Sequence, residues 1–219
     1  VARFGRRFFN RYPHKKVKGY GEIYAEAIRL MRSDDIQAFD ITKEDDKTRD
    51  RYGKDKFGQG CLLARRLIEN NVRYVEVESG GWDTHVDNFT TLQAKLPTVD
   101  KAVSALLDDL ESRGLLESTL VVLTSEFGRS PKINERTGRD HHPAAFSSLL
   151  AGGGIKQGLV YGASDEDGHY VVEEEVTVPD LNATIAQAVG VSVDSTVQSP
   201  SGRPFKVADD GRPVVDLFA

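Results

Sequence analysis

The sequence predicts an α/β fold built on a mostly parallel sheet, and three stretches carry that expectation. Residues 72–77 alternate, with Val72, Tyr74 and Glu76 on one face and Arg73, Val75 and Val77 on the other. That two-residue period belongs to a pleated, partly buried strand. Residues 92–113 repeat Leu96, Val99, Val103, Leu106 and Leu110 at three- and four-residue intervals, which is the period of an amphipathic helix. Residues 119–124, Thr-Leu-Val-Val-Leu-Thr, form the continuous β-favouring run expected of a strand buried on both faces. Strand, long helix and strand together make a βαβ unit.

At 219 residues the chain is long enough for one substantial domain with its own core. Its net charge of −5 is unevenly spread. The first twenty residues hold seven Lys/Arg (Arg3, Arg6, Arg7, Arg11, Lys15, Lys16 and Lys18) and no acid, leaving 22 basic against 34 acidic residues in the other 199. Residues 1–19 therefore read as a basic arm and residues 20–219 as a single α/β domain. The arm suits a solvated segment better than a polyanion-binding one, because no recognition motif accompanies it. The acidic remainder argues against a nucleic-acid-binding body.

Cys61 is the only cysteine, so no intramolecular disulfide is possible. Its neighbours Leu62, Leu63 and Ala64 mark it as a packed small hydrophobe. No apolar run approaches membrane-spanning length. The Arg6-Arg7-Phe8-Phe9 stretch lacks the apolar segment that a twin-arginine export signal requires, since residues 10–18 are polar. The chain begins at Val1 rather than Met, as expected of a fragment or a processed product.

In chain order, residues 20–32 predict an amphipathic helix with Ile23, Ala27, Leu30 and Met31 on one side. Residues 33–52 are highly charged and predict an exposed connection with short helical turns. Residues 57–69 predict a second helix around Leu63, Leu67 and Ile68, ended by Asn70-Asn71. After the 72–77 strand, Gly80-Gly81 allows a tight turn. Gly114 stands where a helix-ending glycine belongs, with Asp108, Asp109 and Glu111 outside the apolar stripe of the long helix. Residues 146–150 read as a third strand. Residues 159–162 and 169–172 read as short strands joined by the Asp165-Glu-Asp-Gly168 turn. Residues 179–189 predict a last helix, closed by Gly190.

Three polar clusters stand out: Asp83/His85, Glu126/Arg129, and Arg139/Asp140/His141/His142. Two directly follow predicted strands, and ligands in α/β proteins bind at the carboxyl ends of parallel strands. Imidazole nitrogen with carboxylate oxygen suits zinc, and also manganese or iron. Arg129 and Arg139 offer planar, permanently charged forks matched to phosphate or sulfate oxygens. Each feature also has a plainer role. Asp83 equally suits a cap for the next helix, Glu126 and Arg129 a local ion pair, and His141 and His142 a place on the surface. Spacing alone leaves the two readings balanced.

Gly80-Gly-Trp-Asp-Thr-His85, Glu126-Phe-Gly-Arg129 and Gly138-Arg-Asp-His141 together resemble the signature of a large bacterial family of unassigned function in the alkaline phosphatase/sulfatase-like superfamily. Its members are often labelled sulfatases. The likeness extends from about Tyr20 onward, through Cys61-Leu-Leu-Ala-Arg-Arg66, Arg113-Gly-Leu-Leu116, Gly152-Gly-Gly-Ile155 and Gly202-Arg-Pro204. The resemblance implies a three-layer α/β/α fold with metal ligands on loops at strand ends. By that resemblance Asp83, His85, Glu126 and His141 would be the metal ligands, and Arg129 and Arg139, by their own chemistry, would bind the anion. It also implies a divalent metal, zinc first with manganese or calcium as alternatives, and a small or polymeric phosphate or sulfate ester as substrate.

The departures from that pattern are specific. Phe127 stands where a ligating histidine is expected, and neither Thr124 nor Ser125 is a convincing nucleophile. The resemblance therefore implies the C-terminal half of a larger hydrolase-like protein whose nucleophile lies in the absent N-terminal half, and which is exported if it follows its family. The alternative is a binding or scaffold protein that keeps the fold without turnover.

Overall fold

Tyr52 and Leu62 are fully buried where three helices meet, and that helical layer carries the core. The computed structural model describes residues 11–12 and 15–219, so most of the predicted basic arm lies outside the described residues. Among the described residues the α-helices are α1 (Lys15–Arg32), α2 (Asp46–Tyr52), α3 (Lys56–Glu69), α4 (Asn88–Ser112) and α5 (Val178–Ala188). The strands are β1 (Val121–Leu123), β2 (Gly128–Arg129), β3 (His141–His142), β4 (Leu149–Ala151), β5 (Ala163–Ser164), β6 (Val171–Glu173), β7 (Thr196–Gln198) and β8 (Pro204–Lys206).

Local chemistry sets the helix ends. Asp45 accepts from the Thr48 amide at 2.6 Å and Asp55 from the Gly58 amide at 2.9 Å, capping α2 and α3. Asn70 closes α3 by returning its side-chain amide to the Arg66 carbonyl at 2.8 Å, and Asn71 turns left-handed at φ 61. Thr177 and Asp180 form a reciprocal capping box at the start of α5.

The face that α4 buries differs from the stripe its sequence suggests. Ala102, Ala105, Asp109 and Leu110 are buried, while Leu96 is exposed. Two alanines let α4 approach α3 closely, beside Cys61 and Leu62. Asp109 is drawn inward by charge. It accepts from the Tyr52 hydroxyl at 2.8 Å and from Arg51, and lies 3.3 Å from Arg65 Nε. Arg65 is itself buried, with Glu44 and Glu69 each 2.8 Å away. The Nε and Nη2 contacts are off-axis, so they are ion pairs rather than well-aligned hydrogen bonds. Cys61 is buried as expected, and burial pushes its thiol up to about 11.

The expectation of a three-layer α/β/α sandwich with a mostly parallel sheet is not met. All strand pairing among the described residues is antiparallel and two-stranded: β1 with β4, β2 with β3, β5 with β6, and β7 with β8. Residues 74–79 keep the predicted alternation, with Val75, Val77 and Ser79 half-buried and Tyr74, Glu76 and Glu78 exposed. They have no ladder partner among the described residues, so they are extended backbone rather than a strand of a sheet. The second predicted strand is only half-buried, and it pairs with β4 in the register Val121↔Ala151. A βαβ unit needs its helix to lie on a sheet. Here α4 packs instead on α3 and α2 through small side chains.

Two further differences are local. The charged stretch 33–52 is not merely an exposed connection, since Ala38 and Tyr52 are buried and α2 belongs to the core layer. Helix α1 begins at Lys15, and its apolar residues Ile23, Tyr24, Leu30 and Met31 are exposed. No helix among the described residues is long and apolar enough to cross a membrane.

Candidate metal centre

Two antiparallel contacts assemble the site. In the β2–β3 ribbon Arg129 lies opposite His141 and Gly128 opposite His142. A Cβ on Gly128 would overlap the Ala145 carbonyl, so the residue opposite His142 must be glycine. The loop before α4 is joined to residues 134–139 by the Val86↔Thr137 bridge. The Asp87, Asn88 and Arg139 amides donate, each at 3.0 Å, to the Arg136, Thr137 and Thr84 carbonyls. Gly138 is buried at this seam, where a Cβ would overlap the His85 carbonyl and sit 2.6 Å from the Val86 nitrogen.

Asp83, His85 and His141 meet there, with one ligand atom from each within 4.8 Å of the others. Asp83 Oδ1 lies 2.9 Å from His141 Nε2 and 3.1 Å from His85 Nε2, and the two Nε2 atoms are 3.1 Å apart. Atoms bound at about 2.0–2.1 Å around a tetrahedral zinc are separated by roughly 3.3 Å. The three residues can therefore hold a metal ion. Asp83 does not cap α4. Its oxygen accepts from Arg129 Nη2 at 2.7 Å, while the helix start at Asp87 has no side-chain cap. His141 and Arg129 hold the exposed Asp83 carboxyl down at about 2.

A second carboxylate, Asp140, decides what His85 offers. Asp140 Oδ1 lies 2.8 Å from His85 Nδ1 and accepts from Asn134 Nδ2 at 3.1 Å. These two contacts hold the Asp140 carboxyl below its ordinary value, the one to His85 contributing more. An ionised carboxylate only accepts, so Nδ1 carries the hydrogen. In neutral His85 the Nε2 lone pair then faces the Asp83 oxygen, acceptor against acceptor, and a cation between them relieves the repulsion. Asn134 braces this arrangement. It donates to the His85 carbonyl at 3.0 Å and accepts from the Arg136 and Gly138 amides at 2.9 Å. Sequence alone does not tie Asn134 to His85, because that one partner lies across the loop seam while Arg136, Gly138 and Asp140 are local.

The residues around this cluster have other partners. Glu126 is exposed and stands outside the three-residue cluster. Arg139 directs Nη1 to the Ser130 and Pro131 carbonyls at 2.7 and 2.6 Å and lies over the Phe89 ring. His142 turns away from His141 and contacts the His169 carbonyl at 2.6 Å. The Phe127 ring packs on His141, centroids 4.6 Å apart. Asp140 and Asn134 also border an open depression of about 300 Å³, with Ser130, Lys132, Ile133 and Glu135.

Asp140→Asn keeps the size of the side chain and removes the charge that fixes the His85 tautomer. Zinc affinity is expected to fall about 10–100-fold, the usual cost of losing an outer partner of a ligating histidine. Calorimetric titration checks this, and unchanged affinity would show that Asp140 does not orient His85.

No curated protein and no solved structure matches the chain. A family model described as "Protein of unknown function (DUF1501)" matches residues 1–218. The chain belongs to that family.

Proposed function

We propose that this chain binds a divalent metal through Asp83, His85 and His141 and serves the hydrolysis of phosphate or sulfate esters. The observation that carries the metal reading is the facing pair of acceptors, His85 Nε2 and Asp83 Oδ1, 3.1 Å apart beside His141. Two imidazoles and a carboxylate suit zinc, and also manganese or iron, better than calcium, which prefers oxygen ligands. When bound, such an ion supplies Lewis-acid polarisation of an ester oxygen. The chain's own residues supply the setting. Asp83 stays anionic, Asp140 holds the His85 proton on Nδ1, and Arg129 places a half-buried guanidinium beside the cluster for an anionic group. The depression next to Asp140, bordered by Lys132, gives such a group room.

A second reading, metal binding without turnover, is favoured by the hydroxyl groups. Thr124 Oγ1 lies 2.7 Å from Ser148 Oγ, and Ser125 donates to the Phe127 carbonyl at 3.1 Å. Neither is presented as a free nucleophile.

One set of measurements tests both. In calorimetric titrations with zinc and manganese, His85→Ala and His141→Ala should each abolish binding, while His142→Ala should leave it nearly intact. If His142→Ala is the most damaging, or the wild-type chain binds neither ion, the metal centre is refuted. Aryl phosphate and aryl sulfate assays on the loaded chain then bear on the second reading, which hydrolysis would exclude.

A further inference from the structure

One side of residues 73–79 is fastened to the helical layer. Val77 packs on the core around Tyr52, Leu62 and Ala105, so tightly that a Cβ on Gly60 would come within 2.9 Å of it. Along these residues no main-chain N–H or C=O has a hydrogen-bond partner among the described residues. A pleated backbone held open in this way is a template for an added strand, since backbone polar groups taken from water must pair.

We propose that residues 73–79 are a docking edge for an extended polypeptide segment with alternating apolar and basic side chains. The apolar residues continue the face formed by Val75 and Val77 over the helices. The basic residues lie on the outer face beside Glu76 and Glu78, both exposed. Opposite charges across neighbouring strands stabilise the pairing and like charges oppose it. A second copy of this chain is the poorer occupant. Antiparallel self-pairing about Glu76 sets Glu76 against Glu76, and parallel pairing also brings the same acids together.

Hydrogen exchange followed by mass spectrometry, on the full chain with and without millimolar peptide, tests this. Acetyl-Thr-Lys-Val-Lys-Val-Lys-Thr-amide should slow exchange at residues 74–78 by roughly tenfold, as expected at ten times the dissociation constant. The Glu-for-Lys version of the peptide should not. In the double variant Glu76→Lys, Glu78→Lys, both changes are on exposed side chains, and the preference should reverse to the acidic peptide. Several results would overturn the proposal. These are no slowing with either peptide, equal slowing with both, full protection before any peptide is added, and protection that rises with protein concentration alone, which would identify a second copy as the occupant.

Discussion

Gly138→Ala is expected to destroy the metal centre without touching a ligand. The added methyl overlaps the His85 carbonyl and presses on the Val86 nitrogen. Both are backbone atoms of a seam fixed by several 3.0 Å hydrogen bonds, so no flexible side chain can yield. Overpacking of this kind costs about 1–3 kcal/mol. The relief available is to part residues 84–88 from residues 134–139, which carries His85 and Asp83 away from His141. Zinc affinity should fall by roughly 100-fold or more, as from loss of a ligand, with a lowered unfolding midpoint. Gly80→Ala is the control, because nothing lies within 4 Å of its added Cβ. If Gly138→Ala binds zinc like the unaltered chain, the seam does not set the ligand geometry.

Arg65→Ala should be the most destabilising single change in the helical layer. It removes the cation at which Glu44, Glu69 and Asp109 converge, and only 2% of Arg65 is exposed. Burial by itself would lower the Arg65 pKa, but its bonds to Glu44 and Glu69 overcome that and raise it. Breaking a buried ion pair by removing one partner typically costs about 3–5 kcal/mol. Urea denaturation should show a loss of that size. Arg29→Ala should cost under about 1 kcal/mol, because its pair with Glu26 is solvent-exposed. A loss at Arg65 no larger than that at Arg29 would mean the cluster is not a stabilising element.

The same cluster sets an acid dependence. Burial pushes the Glu44 carboxyl up, but Arg65 and Arg66 outweigh it, and the net shift is downward. A lowered folded pKa gives a contribution that is complete above the ordinary glutamate value, about 4.3. It is lost as pH falls through the lowered value, so Arg65→Ala should have a shallower acid limb in stability. Metal binding should lose strength on acidification for another reason. Its imidazoles must be deprotonated to bind, whereas Asp83, held at about 2, stays ionised through that range.

Local structure was partly legible in the chain, although helix α2 within the charged stretch was not. The helices around Leu63 and Leu106, Asn70-Asn71 at a helix end and the alternation of Val75 and Val77 all depend on neighbours within a few residues, and each appears close to its expected place, although the helix faces that are buried differ. The grouping of Asp83 and His85 was legible for the same reason. They are two residues apart, so an extended backbone points them the same way. Partner choice was not legible. Whether residues 72–77 and 119–124 share a sheet depends on which backbones come alongside, and that is a non-local matter of packing. Ala102 and Ala105, too small to mark a stripe, let α4 settle on α3, and Asp109 enters the core because Arg65 and Tyr52 wait there. At the metal centre only the tertiary structure could assign Asp140 and Asn134 to His85, since they reach it across a seam about fifty residues long in sequence. Short-range order follows from steric and hydrogen-bonding preferences that each residue carries with it, whereas pairing between distant segments is settled by which surfaces can be buried together.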